Sequence, residues 1–325
     1  MKLVMFRPGR KKARPGILWK EKIIDLNAAC LFFEKNKKGG KTEGVGNDLL
    51  EFLRGGERSA RRARKIPAAF EKGRAGEGRT LQKGGKKLLF DAAKVRLLAP
   101  LSRPPKIMCL ARNYVSHVQE VTGSAARPPD TLLFMKPTTA VIGPEEAIVI
   151  PPFCRKLDHE VELAVVIGRR GRFIPESAAL DHVAGYTILN DVSDRDYTGQ
   201  KDSHRLINWF FMKGQDTFAP LGPCLVLKDE IPDPHKLRLR LWVNGELRQD
   251  SEGEEMIFKI PQILARVSQF VTLEPGDIVS TGTPVGTSFS TKQYLKAGDV
   301  VECEIEGIGR LRNVVRVEEA VYRKN

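Results

Sequence analysis

Apolar positions along this chain recur mostly with a period of two, which predicts strands. Lys2–Phe6, Gly16–Trp19 and Lys22–Leu26 are three short runs of this kind, with a Gly/Arg/Lys-rich turn between the first two. The period lengthens over residues 47–72. There Leu49, Leu50 and Leu53 form one helical group and Ala60, Ala63, Ile66 and Ala69 another, with Gly55-Gly56 between them. Pro67 argues against a regular second helix. The proline-rich run Leu97–Pro105 reads as a linker.

Beyond it the apolar density rises. Lys106–Leu110 reads as a buried strand, and a short helix follows with Asn113 as N-cap and Gly123 as stop. Leu132–Lys136 is the next strand, and Val183–Leu189 another, after a helical Ala178–Val183. Residues 197–212 turn from polar to aromatic and predict a loop over a pocket. Leu237–Val243 and Glu246–Arg248 flank Asn244-Gly245, the clearest hairpin signal in the chain. Pro261–Val271 reads as a helix opened by proline. Glu274-Pro275-Gly276-Asp277 and Lys296-Ala297-Gly298-Asp299 echo each other as turns before strands, and Val300–Ile305 pairs with Leu311–Val317.

One stretch stands apart, Leu157-Asp158-His159-Glu160-Val161-Glu162-Leu163-Ala164-Val165-Val166-Ile167. In a strand, Glu160 and Glu162 share a face. Two adjacent carboxylates need a proton, a cation or water. The apolar run that follows carries the strand into a core and favours a cation, while an edge strand with a solvated acidic stripe is the other reading of the spacing. Asp191, just past the end of a later strand, is a further carboxylate placed to line a site, or else a turn cap. Glu160, Glu162 and Asp191 with no cysteine would suit a hard cation, Mg²⁺ before Mn²⁺ before Ca²⁺. His117 and Glu120 lie three apart on the short helix. They make either a carboxylate-oriented general base or an ordinary surface pair. Lys213 follows three aromatics, which makes burial near acidic groups plausible.

Composition narrows the class. The 325 residues suffice for two domains, and no apolar run is long enough to span a membrane. Five scattered cysteines with no Cys-x-x-Cys point to reduced thiols and a cytoplasmic location. The net charge is +14, and residues 1–100 alone hold 26 Lys+Arg against 10 Asp+Glu. Without basic–aromatic alternation this reads as a solvated basic surface ahead of a nucleic-acid site. No dinucleotide fingerprint, P-loop or nucleophile elbow is present.

Several motifs occur in one order: Arg112-Asn113-Tyr114 with His117, Asp158-His159-Glu160-Val161-Glu162-Leu163, Asn190-Asp191-Val192-Ser193 with Arg195-Asp196, Lys213 with Asp216-Thr217-Phe218, Val243-Asn244-Gly245-Glu246, and Thr281-Gly282-Thr283-Pro284. With these, residues 106–317 resemble the fumarylacetoacetate hydrolase superfamily, in its acylpyruvase-like, FAHD-type branch. The resemblance implies an α+β, mostly β fold. It places a small basic domain at 1–100 and a rolled β-sandwich catalytic domain at 106–325, usually in a homodimer. It implies Mg²⁺ or Mn²⁺ on Glu160, Glu162 and Asp191. His117 would be the base, held by Glu120, and Lys213 would stabilise the enolate oxygen. Arg112, Tyr114, Lys136, Arg195 and Thr283 would be the substrate contacts. The implied reaction is hydrolysis of a C–C bond in an acylpyruvate or related 2,4-diketo acid. Decarboxylation, dienedioate isomerisation and sugar-acid dehydration are the alternatives on the same scaffold. Asp194, Thr198 and Gly214-Gln215 depart from the family pattern, and the last positions are where substrate identity would be set.

Overall fold

The computed structural model describes residues 1–34, 44–71, 87–197 and 207–318. Among the described residues, twelve strands form one sheet. Its central order runs Lys2–Arg7, Ala219–Leu227, Val183–Asn190, Val161–Ile167, Ile278–Ser280, Ile107–Ala111 and Leu132–Lys136. A second sheet of five strands holds the Asn244-Gly245 hairpin, the C-terminal hairpin and Ile148–Ile150. Among the described residues, no helix is long and apolar enough to cross a membrane.

All seven residues of Val161–Ile167 are buried, because both faces of this strand are covered. Val161, Leu163 and Val165 pack with Leu239, Leu241 and Val301 of the second sheet. Ala164 and Val166 pack in the cluster that holds Leu3, Ile17, Leu49 and Phe52 of the N-terminal third. Glu160 and Glu162 have the parity of Ala164 and Val166, so the acidic face is the one that the N-terminal third covers further along the strand.

The expected linker is not one. Arg96–Leu98 pairs with Lys2–Arg7 as a strand, and Ala99 and Leu101 are buried. The N-terminal and catalytic segments are joined edge to edge, with Leu3 opposite Leu225 and Lys2 opposite Val226. Apolar burial around the prolines overrides the linker signal.

Other boundaries differ for local reasons. The strand from Lys22 stops at Asp25, whose carboxylate accepts from the Ala28 amide (2.9 Å), and Leu26 opens a helix. Pro67 lies inside Gly56–Glu71 without ending it, since Ile66 and Phe70 bury one face on either side. Residues 176–182 form a 3₁₀ rather than an α-helix. The two Gly-Asp turns are built alike. Asp277 accepts from the Glu274 amide and Asp299 from the Lys296 amide, both at 2.7 Å, with Gly276 and Gly298 both at φ +93°.

Candidate active site

Strand register assembles the carboxylates. Val161 pairs antiparallel with Asn190, which sets Glu160 opposite Asp191, and the Asp191 amide donates to the Glu160 carbonyl (2.8 Å). On the other side Ala164 pairs with Ser280, which sets Glu162 opposite Gly282. Cross-strand neighbours share a face. Glu160, Glu162 and Asp191 accordingly bring one carboxylate oxygen each to within 4.8 Å of one another, all three buried.

Three cations surround them. Lys136 Nζ donates to Asp191 Oδ1 (2.6 Å). Lys213 Nζ donates to Glu160 Oε2 (2.7 Å) and Asp191 Oδ2 (2.5 Å). Arg195 donates to Glu160 and, through Nε, to Asp158 (2.8 Å). Burial works to raise Glu160, but Lys213 and Arg195 more than offset it and hold the carboxyl down at about 2. Among the described residues, no cation forms an ion pair with Glu162. It accepts from the Ser280 hydroxyl (2.5 Å) and the Gly282 amide (3.1 Å). Burial, then Asp191 and Glu160, push its pKa well up. Four buried carboxylates, Asp158 included, thus face three basic side chains. The raised pKa of Glu162 reflects that imbalance, on an all-oxygen donor set. These residues fit a hard divalent cation.

Across the cleft, the helix Val115–Thr122 presents His117. Its Nδ1 lies 3.2 Å from Glu120 Oε2, and Glu120 Oε1 accepts from the Gly286 amide (3.1 Å). With Nδ1–H donated to Glu120, Nε2 carries the free lone pair. Tyr114, not Asn113, occupies the N-cap position of this helix. The Asn113 side chain instead ties the loop to the Thr281 carbonyl (2.8 Å) and the Phe258 amide (2.9 Å).

The cleft holds about 190 Å³, and His117, Glu160, Glu162, Lys213, Arg195, Arg112 and Thr283 all reach its wall. Two expected substrate contacts do not. Tyr114 is fully buried in the core, where burial pushes its hydroxyl pKa up. Lys136 is spent beneath the site on Asp191 and the Val192 carbonyl (3.2 Å). Thr283 reaches the wall, but its hydroxyl donates to the Val161 carbonyl (3.0 Å) and accepts from Gln249 Nε2 (2.9 Å).

Sequence reasoning missed Ser280, Gln249 and the Asp158–Arg195 pair. Gln249 also receives the Val161 amide (3.0 Å), the residue between the two glutamates. Its signal was available, since it is a polar side chain at an inward position of the hairpin. Ser280 lies in an ordinary strand and gives no such signal. The loop expected at 197–212 is described only in part. Trp209–Lys213 is a short helix with Trp209 stacked on Phe134 (4.8 Å between centroids).

Residues 106–316 match the family model described as fumarylacetoacetate (FAA) hydrolase, C-terminal. The chain belongs to this family. A relative named oxaloacetate tautomerase FAHD2B, mitochondrial, from Bos taurus is 45% identical over 229 residues, 70% of this chain and 71% of that one. The solved structure of a 5-carboxymethyl-2-hydroxymuconate delta-isomerase from Mycobacterium smegmatis is 39% identical, with a TM-score of 0.62, and covers 72% of this chain and 86% of that one. A maleylpyruvate hydrolase from Sphingobium sp. SYK-6, solved in complex with manganese(II) ion and pyruvate, is 28% identical, with a TM-score of 0.71, and covers 98% of this chain and 100% of that one. Two departures from the family pattern bond to each other: Gln215 Nε2 donates to Asp194 Oδ2 (3.1 Å). Neither is among the described residues that line the cleft. Thr198 lies outside the described residues.

Proposed function

We propose that this family member is a divalent-metal-dependent enzyme that moves a proton at the carbon beside the ketone of a small 2-oxo acid. The observation that carries the reading is His117, held by Glu120, on the wall of one small cleft with Glu160, Glu162 and Lys213. A divalent cation held by Glu160, Glu162 and Asp191, Mg²⁺ or Mn²⁺, would supply positive charge to the oxygens of a 2-oxo carboxylate. Nε2 of His117 takes the proton from the carbon, and the electron pair moves onto the ketone oxygen, which is then protonated. Keto and enol forms have the same atoms, so nothing else is consumed. Glu120 fixes the imidazole tautomer. Burial opposes charge on Lys213, but Asp191 and Glu160 reverse this and raise its pKa, so it stays an ammonium beside the developing oxyanion. The 45% identity to a protein named oxaloacetate tautomerase supports this reading.

Hydrolysis of an acylpyruvate is the second reading, favoured by likeness to a maleylpyruvate hydrolase. There His117 takes a proton from water and hydroxide adds to the distal carbonyl. The C–C bond breaks, and its electron pair becomes the enolate of the departing 2-oxo acid, which is protonated in turn. Two assays with added Mg²⁺ or Mn²⁺ separate the readings: decay of enol absorbance of a 2-oxo acid, and pyruvate release from acetylpyruvate. Chelator-sensitive catalysis in the first supports tautomerisation, and in the second hydrolysis. No chelator-sensitive rate in either overturns the proposal.

A further inference from the structure

The strand that carries the two glutamates loses a neighbour where the site begins. Glu160 turns both of its backbone groups toward Asn190-Asp191. Its carbonyl accepts from the Asp191 amide (2.8 Å) and its amide donates to Asn190 Oδ1 (3.0 Å). Alternation therefore turns the amide and carbonyl of Val161 to the other side, toward the course of Ile278–Ser280. That ladder starts only at Ala164, opposite Ser280, and the Thr281 amide closes it on the Leu163 carbonyl (3.0 Å). Beyond Thr281 the chain leaves the sheet. Buried backbone groups need partners, and Val161 has no strand to supply them.

Side chains stand in for the missing strand. The Thr283 hydroxyl donates to the Val161 carbonyl (3.0 Å), and Gln249 Oε1 accepts from the Val161 amide (3.0 Å). Gln249 is 1% exposed and enters from the second sheet. It sits where the hairpin register shifts, with Leu241 opposite Gln249 but Trp242 opposite Leu247. Such a shift re-aims side chains. The other end of the amide holds a loop, since Nε2 donates to Thr283 Oγ1 (2.9 Å) and to the Pro284 carbonyl (2.9 Å). The loop continues to Gly286, at φ +98° and so close to the hairpin that a Cβ there would strike the Arg248 carbonyl oxygen. The Gly286 amide anchors Glu120, which orients His117. One amide side chain thus ties the glutamate strand to the loop that anchors the base.

We propose that Gln249 is a positioning residue. It fixes the glutamates of one strand at a set distance from the His117–Glu120 pair, although it is not among the described residues that line the cleft. Its effect on turnover rests on the 2-oxo acid reading above, while its hold on the loop does not.

Gln249→Met keeps the bulk of the side chain and removes both ends of the amide. In chelator-treated protein, hydrogen exchange read by mass spectrometry should speed about tenfold or more across residues 281–287 and the helix Val115–Thr122, as expected for buried groups left unsatisfied. Exchange across residues 300–317 should stay as in wild type. With Mn²⁺ bound, kcat on a 2-oxo acid should fall about 10- to 100-fold, and Mn²⁺ affinity should fall less. In a Glu120→Gln background Gln249→Met should lower kcat little further, because both changes act on one group. Wild-type exchange across residues 281–287, uniform speeding over the whole chain, or losses in kcat that multiply would each overturn the proposal. Should Gln249→Met not fold, Gln249→Asn keeps the amide one methylene short and carries the same expectations and refutations. A wild type that turns over no 2-oxo acid overturns that reading instead, and the exchange result alone then decides this one.

Discussion

Lys136→Met is the sharpest test of the charge arrangement. The Lys136 side chain is fully buried, its Nζ is 2.6 Å from Asp191 Oδ1, and methionine fills nearly the same volume without the charge. The substitution leaves Asp191 with Lys213 alone and removes one of the three cations that face the buried carboxylates. Removing one partner of a buried ion pair costs about 3–5 kcal/mol. At about 2.1 cal/mol/K per residue, unfolding 325 residues carries an entropy of roughly 0.7 kcal/mol/K, so Tm should fall by about 4–7 °C. The assay is thermal melting, first with chelator and then across a Mn²⁺ titration. A cation bound at Glu160, Glu162 and Asp191 offsets the lost ammonium, so saturating Mn²⁺ should close at least half of the gap. A variant that melts with wild type in chelator would refute the ion-pair reasoning. A gap that Mn²⁺ leaves unchanged would refute the placement of the cation beside Asp191.

Glu162→Gln should weaken Mn²⁺ binding, read by calorimetry or by the spin resonance of free Mn²⁺. The loss should exceed the roughly 100-fold that marks the upper range for an outer-sphere partner, and wild-type affinity would sink the ligand assignment. His117→Ala should lower kcat by about 10²–10⁴ at unchanged Mn²⁺ affinity, and normal turnover would place the base elsewhere. His235 Nε2 accepts from the Ile260 amide (3.1 Å), and burial, the largest influence on it, holds this imidazole below its ordinary pKa. The unfolded chain therefore gains a proton that the native state resists as pH falls. The corresponding stability is present above about pH 6.5 and is lost below it. His235→Gln keeps an acceptor without the titration, so its Tm should fall less than wild type between pH 7.5 and 5.5, and parallel slopes would refute this.

Alternation located the hairpin strands, whereas Val161–Ile167 was legible as a continuous apolar run, because Leu163, Val165 and Ile167 fill one core cluster and Ala164 and Val166 the other. The Asn244-Gly245 turn was legible because both residues take positive φ, +54° and +82°. The spacing of Glu160 and Glu162 was legible as a shared face, but what that face meets was not. Asp191 joins it through a register some 30 positions away, and Ser280 through one some 120 away. That Tyr114 and Lys136 lie buried beside the cleft and not on its wall was hidden for the same reason. Their motifs fix proximity to the site, while burial decides whether a side chain faces the cleft or supports it from beneath. The run Leu97–Pro105 failed because local proline content carries no record of a strand waiting to pair with it.

That pairing reaches further than the boundary it corrects. Ala219–Leu227 has Val183–Asn190 along one side and Lys2–Arg7 along the other. A chain beginning at residue 106 would leave the amides around Leu225 and Val226 as an open edge, and would bare the apolar surface now under Leu3 and Ile17. Open edges of that kind recruit other strands. The N-terminal third therefore closes a backbone edge of the catalytic sheet as well as an apolar face.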